Sequence, residues 1–392
     1  MPRTNVSITE ALDALRQYVE REGFSGWDPY DALYSRIPFQ KMGKWPAVLV
    51  TQALKRLPVN LRPLLGISKG INPKAMGLFL HAYSMMHRFE SKPQTRETMD
   101  FLFDWLERNA SSAFGGAGWG YNFAWANPGK TVPAFTPSAV VTGFVCRGIA
   151  AYHEQTGNPK AADLMILAAR FIHESLDHTE FPQGICISYT PISKDCCYNA
   201  SLLAAEVLAL ADRAAGEDRY RELVRRAVDF VVSRQKVDGR WSYSLEPDSD
   251  RERAQVDFHQ GYVVESIFRL GEITGIRNAN WTNAVERGVR FYRENQFTPE
   301  GRSLWRLPKQ WPVDIHHQAQ GIITFARLGE LDPEYHAFAQ HIALWTLEYM
   351  RSRRGYFHYR KYRVGGNSIP FMRWGQAWML LALSLLNLND QS

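Results

Sequence analysis

Apolar positions recur along this chain in two alternating patterns. Segments of the first kind are apolar and rich in small residues on nearly every side: 73–83, 137–148, 198–208, 259–268, 317–325 and 373–382. Segments of the second kind are amphipathic, with charges gathered on one face: 97–108, 160–176, 220–235, 282–296 and 334–351. Both have the spacing of α-helices. The first kind begins anew roughly every 60 residues, the length of one long helical hairpin with its loops. A helix that is apolar on most sides needs burial on most sides, whereas an amphipathic one can face water. The pattern therefore predicts an all-α fold of six helical hairpins, an (α/α)6 toroid with the apolar helices as an inner ring. It is expected to form one domain over residues 1–392. Residues 1–45 are expected to supply an N-terminal helix, Ile8 to Glu22, and a segment able to act as a lid.

After several amphipathic helices the chain carries glycine followed by aromatics, as in Gly118-Trp-Gly-Tyr121, Gly239-Arg-Trp241, Gly301-Arg-Ser-Leu-Trp305 and Gly355-Tyr-Phe-His-Tyr359. Glycine permits the positive φ that ends a helix, and alternating aromatics suit a short extended segment. These phrases predict short β-hairpin-like loops, all sent to the same end of the toroid.

The phrase Gln235-x3-Gly239-x-Trp241 resembles the repeat motif of the squalene cyclase and prenyltransferase superfamily. The six-hairpin layout resembles the toroids of glycoside hydrolases, polysaccharide lyases and sugar epimerases. Gly26-Trp-Asp-Pro-Tyr-Asp-Ala-Leu33 and Ile369-Pro-Phe-Met-Arg-Trp-Gly-Gln-Ala-Trp378 are similar to proteins encoded in bacterial exopolysaccharide gene clusters, over nearly the whole chain. That likeness implies a role in polysaccharide biosynthesis or modification and an association with a biosynthetic complex. It specifies no reaction, because this fold hosts many chemistries.

In a closed ring of hairpins, the loops entering the inner helices converge, and polar residues there are the default site candidates. Val256-Asp-Phe-His-Gln-Gly261 and Val313-Asp-Ile-His-His-Gln318 each place an aspartate two residues before a histidine at such an entry. Asp257 and Asp314 suit helix caps as well as catalysis. His259, His316 and His317 come from adjacent repeats, and imidazoles tuned by nearby carboxylates suit general acid/base work. The same cluster is a candidate for a divalent metal, but no HExxH-like spacing is present. Acid/base chemistry without metal or other cofactor is the preferred reading.

Three reactions fit these residues. Inverting hydrolysis needs two carboxyls about 6.5–9.5 Å apart, which Asp257 and Asp314 are candidates to supply. β-Elimination or epimerisation at a uronate needs a base, for which His259, His316, His317, Tyr121 and Tyr198 are candidates. Trp27, Asp28, Tyr30, Trp119, Trp241, Trp305 and Trp374, with Gln260 and Gln318, are candidate substrate contacts, since sugar rings stack on flat aromatic faces. Arg306 and Arg373 are candidates to pair with an acidic sugar, or else to form internal ion pairs with Asp28, Asp31, Asp257 or Asp314. Two alternatives remain open. One is a terpenoid or prenyl cyclase, although the DxDD motif of class II cyclases is missing; the other is a non-catalytic glycan-binding scaffold.

Composition changes this picture little. Hydrophobic residues are 45% and charged residues 22% of 392, enough for a large core, and twelve tryptophans exceed what that core requires. The formal charge of +6 is small for this length. Its one cluster, around Arg351–Arg354 and His358–Arg363, admits nucleic-acid binding. The reading preferred is the rim of a pocket favouring an anionic oligo- or polysaccharide. No signal-like or eighteen-residue apolar stretch occurs. The four cysteines form no CxxC pair and are read as reduced thiols, so a cytoplasmic location is expected.

Overall fold

The computed structural model describes residues 6–39, 41–126, 131–246, 249 and 251–389. The six small-residue-rich segments form helices α3 (Pro73–Phe89), α5 (Ala139–Thr156), α7 (Tyr198–Ala215), α9 (His259–Thr274), α11 (Ile315–Arg327) and α13 (Ala377–Asn389). Each packs on the next, and α13 returns to α3, so the inner ring closes. Outside it lie α1 (Ile8–Arg21), α4 (Pro93–Arg108), α6 (Pro159–Ser175), α8 (Arg221–Ser233), α10 (Ala279–Gln296) and α12 (Pro333–Met350). Burial follows the composition. Every residue of α7 from Tyr198 to Asp212 is buried, whereas α4 buries only the stripe Thr95, Met99, Leu102, Phe103 and Leu106, one face at helical spacing.

The N-terminal helix does not stand apart from the ring. Its buried side chains Leu12, Leu15 and Val19 join the main core, and α1 packs on α13 and α12, with Thr9 Oγ1 donating to Asn387 Oδ1 at 2.8 Å. The first helix thereby becomes the outer partner of the last inner one. A further helix, α2 (Lys44–Arg56), is inserted before α3 and has its own small core of Ala32, Leu54 and Ile67.

Five of the entries into inner helices are fastened alike. A polar side chain in the first turn of the helix, or at the residue just before it, accepts the backbone N–H of the incoming segment: Thr142 from Trp119, Ser201 from Ile187, Gln260 from Trp241, Gln318 from Ser303 and Gln376 from Phe357. The glutamines also donate to turn carbonyls, Gln260 to Gly239 O and Gln318 to Gly301 O, both at 3.1 Å. The indoles of Trp119 and Trp241 donate back to the outer helices, at Leu106 O (3.0 Å) and Val231 O (2.8 Å). Gly239 has φ 92°, and a Cβ there would lie 2.3 Å from Arg287 O, so only glycine fits. Gln235 fastens the same turn, its Nε2 donating to Gly239 O at 3.0 Å and to Ala284 O at 2.8 Å, which accounts for the Gln-Gly-Trp phrase. The repeated joint also corrects four expectations: Trp119 and Trp241 are only 1% and 2% exposed and, with Gln260 and Gln318, are engaged in holding hairpins together, so none presents a face to a ligand.

Some loops pair as short strands, as expected. Val313–Asp314, Arg360–Lys361 and Gly366–Asn367 form one antiparallel sheet, in which Asp314 faces Arg360.

α3 and α5 cross closely enough that a Cβ on Gly148 would lie 2.2 Å from Gly77 O. The substitution Gly148→Ala is expected to destabilise the chain by about 1–3 kcal/mol or more through overpacking, read as a lower urea midpoint. An unchanged midpoint would show that the two helices can part freely.

Candidate functional site

The entries into α9, α11 and α13 gather three histidines around one phenylalanine. The Phe258 ring centroid lies 4.1 Å from that of His259, 4.6 Å from His316 and 4.8 Å from His317. Their hydrogen bonds differ, and the difference assigns each tautomer. His259 Nδ1 is 2.6 Å from Asp257 Oδ1. His317 Nδ1 is 3.2 Å from Leu304 O. Carboxylate and carbonyl oxygens only accept, so Nδ1 carries a proton in both rings, and in the neutral form of either ring Nε2 keeps its lone pair. Among the described residues no hydrogen bond to either Nε2 is found. His316 is different: Nδ1 donates to Trp374 O at 3.2 Å, and Nε2 accepts the Tyr262 hydroxyl. Two imidazoles are therefore poised as bases, and the third is tied at both nitrogens.

Electrostatics supports this division. Burial holds the His317 pKa below 6.5, partly offset by Asp314 and Asp257. His316 lies further below, through burial first and then the nearby Lys74, His317 and Arg373. Burial alone would raise the Asp257 carboxyl, but the charge and hydrogen bond of His259, with His317 nearby, outweigh it and keep the group ionised. Asp257 Oδ2 also accepts from Gln255 at 2.6 Å and lies 3.6 Å from Arg306.

Asp314 is not a second free carboxyl. It is fully buried; Oδ1 accepts His316 N at 3.0 Å and Trp374 Nε1 at 2.8 Å, and Oδ2 accepts Arg360 Nε at 2.7 Å. It caps α11 and anchors Arg360, and this removes it from a hydrolytic pair with Asp257. Tyr198 is likewise buried, donating to Glu252 at 2.7 Å and packing on Phe230; burial, then Glu252, raise its pKa. It is no candidate base.

Other predicted contacts are brought together but are partly engaged. Arg373 forms a two-pronged buried pair with Asp28, Nε–Oδ2 2.6 Å and Nη2–Oδ1 2.8 Å, so its charge is already matched. It lies over the ring of Tyr121, whose hydroxyl is 3.5 Å from that of Tyr189. Trp27 donates to Ile67 O at 3.1 Å and steadies the loop. Tyr30 accepts from Lys55 Nζ and its ring is 5.6 Å from that of Trp374. Gly26–Asp31 thus lies at the entry to α13, held by Asp28–Arg373 and by Arg62 Nε to Asp31 at 2.7 Å. Trp305 stacks on His317 at 5.2 Å, and Trp374 on His316 at 4.6 Å; both are half-buried. Arg306, with an exposed side chain, is the arginine most able to turn toward an acidic ligand.

Sequence reasoning missed Phe258, Tyr262 and Arg360. Tyr262 is three residues beyond His259 on α9, hence on the same face, and that spacing was legible. Arg360 had no signal, because only the strand pairing brings it to Asp314.

A concavity of about 800 Å³ beside Asp229, Asn278 and Arg287 lies on the outer face between α8 and α10 and touches none of these residues. A cleft of about 330 Å³ lined by Trp27, Asp28, Asn72, Phe123 and Arg373 adjoins the Gly26–Asp31 segment; none of the three histidines lines it. No three His, Cys, Asp or Glu side chains among the described residues are grouped to hold a metal.

Solved structures share this architecture. A cellobiose 2-epimerase from Bacillus thermoamylovorans superposes with a TM-score of 0.66 at 13% identity, over 82% of this chain and 88% of its own. A GH76 alpha-mannanase from Bacteroides thetaiotaomicron gives 0.61 at 11%, over 81% and 86%. The fold is an (α/α)6 toroid. A possible member of the GH105 family from Salmonella enterica serovar Paratyphi A gives 0.68 at 13%, over 100% and 97%. At such identities the likeness is one of fold. No protein-family model and no curated protein matches the sequence. No helix among the described residues is long and apolar enough to cross a membrane.

Proposed function

We propose that this toroid is a carbohydrate-active enzyme that moves a proton at a carbon next to a carbonyl or carboxylate, as an epimerase or isomerase does. The observation that carries the reading is the pair His259 and His317, each bonded at Nδ1 with no hydrogen bond at Nε2 among the described residues, and both packed against Phe258. One imidazole takes the proton from the substrate carbon, and an enediolate-like anion forms. The other imidazole, as its conjugate acid, returns a proton to that carbon. Asp257 holds His259 in orientation through the hydrogen bond at Nδ1, and Arg306 is placed to offset charge on the substrate. Hydrolysis is the weaker reading because Asp314 is fully engaged. The fold's occurrence in a cellobiose 2-epimerase supports a saccharide substrate.

The substrate class we propose is an oligo- or polysaccharide, its role in polysaccharide biosynthesis resting on the likeness of Gly26–Leu33 and Ile369–Trp378 to exopolysaccharide-cluster proteins. A cytoplasmic setting and a biosynthetic complex belong to the same proposal. The test is incubation in D2O with reducing disaccharides and uronate-containing oligosaccharides, followed by NMR. Deuterium appearing beside the carbonyl, with inversion or isomerisation, supports the reading. An unsaturated product would mark elimination instead, and hydrolysis without exchange would overturn it.

The pH profile follows from burial. A histidine base works unprotonated, and His317 is held below 6.5, so protonation sets in only at lower pH. Activity is expected to stay level from neutrality down to about pH 6.5 and to fall beneath it. An acid limb centred above pH 7 would exclude His317 as the base.

A further inference from the structure

Residues 32–66 hold six lysines and arginines and no aspartate or glutamate, while the rest of the chain has 40 of each sign. The whole formal excess of positive charge therefore sits in this one inserted segment. The same segment is where the surface is most apolar. It contributes eight of the eighteen large hydrophobic side chains exposed among the described residues, including Met42 at 62%, Trp45 at 65%, Leu49 at 65% and Leu64 at 83%.

α2 organises these residues into faces. Ala47, Thr51 and Leu54 point inward and are buried, on a small core separate from that of the ring. Trp45, Leu49, Ala53 and Arg56, four or three residues apart, form the exposed face, with exposed Lys41 just before the helix. A helix with tryptophan and leucine outward, bases at its ends and no acid among its own residues has the make-up of an interfacial helix; the neighbouring Asp31 is buried and already paired with Arg62. The segment is held at the mouth end of the toroid: Asn367 Nδ2 donates to Leu57 O at 2.8 Å, and Tyr34 lines the cleft that contains Asp28 and Arg373.

We infer that residues 32–66 dock the protein on an anionic lipid bilayer, with Trp45 and Leu49 entering the headgroup boundary and the bases meeting lipid phosphates. Charge decides the occupant. A second copy placed symmetrically on this face would set its positive charge against itself, and the cores of protein interfaces are depleted in lysine; an anionic bilayer matches both the charge and the apolar side chains. Docking would set the cleft mouth beside the membrane surface. This inference is independent of the reaction, since vesicle binding requires no turnover.

The experiment is flotation of the full chain with vesicles of phosphatidylcholine alone or mixed with phosphatidylglycerol, at low and high salt. Binding is expected only or chiefly to the anionic vesicles and is expected to weaken with salt. The W45E/L49E variant should bind at least about tenfold more weakly, with an unchanged circular dichroism spectrum and melting temperature because both side chains lie outside the core. The charge-reversed K41E/R56E variant should weaken binding by a factor of at least about ten as well. No binding to anionic vesicles, or undiminished binding by W45E/L49E, would overturn the inference. So would light scattering that shows a dimer abolished by W45E/L49E without vesicle binding, which would assign the face to a second copy.

Discussion

The H259Q variant is expected to turn over its substrate about 100- to 10,000-fold more slowly, the usual contribution of a positioned acid or base. Glutamine keeps a donor for Asp257 but has no titrating nitrogen, so orientation survives while proton transfer does not. H317Q should show a loss of the same order, since the donor to Leu304 O is kept and the free Nε2 is removed. His316 is the internal control. Both its nitrogens are engaged, with Trp374 O and the Tyr262 hydroxyl, so H316Q should lower the melting temperature more than it lowers the chemical step. Rates of solvent deuterium incorporation and melting curves on all three variants check the pattern. Full deuterium exchange by H259Q and H317Q would remove the two-base mechanism.

The largest effect on stability is expected at the ring's centre. Arg147 of α5 reaches Glu206 of α7 (Nε–Oε2 2.8 Å) and Glu265 of α9 (Nη1–Oε1 3.0 Å), all three buried. Glu206 also receives Arg269 Nε at 3.2 Å, and Gln320 Nε2 donates to Glu265 at 3.1 Å. Removing one partner of such a network leaves buried carboxylates uncompensated, a loss of about 3–5 kcal/mol. Arg147→Met is expected to lower the urea midpoint accordingly, or to prevent accumulation of folded protein. Arg147→Lys should fall between, because an ammonium keeps the charge and loses the planar fork. A midpoint for Arg147→Met equal to that of the wild type would mean that the two glutamates are neutral in the folded chain.

These two predictions draw on different levels of information. The histidines were legible in the sequence because the Asp-x-His phrase occurs twice, at the entries of adjacent inner helices, and repeats in a ring must converge; the two phrases differ by one residue in register, which sets His259 level with His317 rather than with His316. Their unequal roles were not legible. His316 and His317 are neighbours in sequence, yet one ring points at Trp374 O, 58 residues away, and the other at Leu304 O, 13 residues back in the preceding loop. Asp257 and Asp314 read as equivalent for the same reason. They part only because Arg360 pairs across a two-residue strand with Asp314 and not with Asp257.

By itself the sequence determined the hairpin count, the assignment of the six inner and five of the outer helices and the end where the loops gather; packing on α13 made α1 the sixth outer helix. Those first three depend on hydrophobic periodicity and small-residue content, which are local and repeated six times. Tertiary structure alone decided which polar side chains remain open to chemistry. Gln260, Gln318, Trp119 and Trp241 are close in sequence to the histidines or to the predicted loops, and packing turned each into part of a joint. The physical reason is that a buried polar group must find a partner. That partner is supplied by whichever backbone or side chain the fold brings within 3 Å or so, a fact that spacing along the chain does not encode.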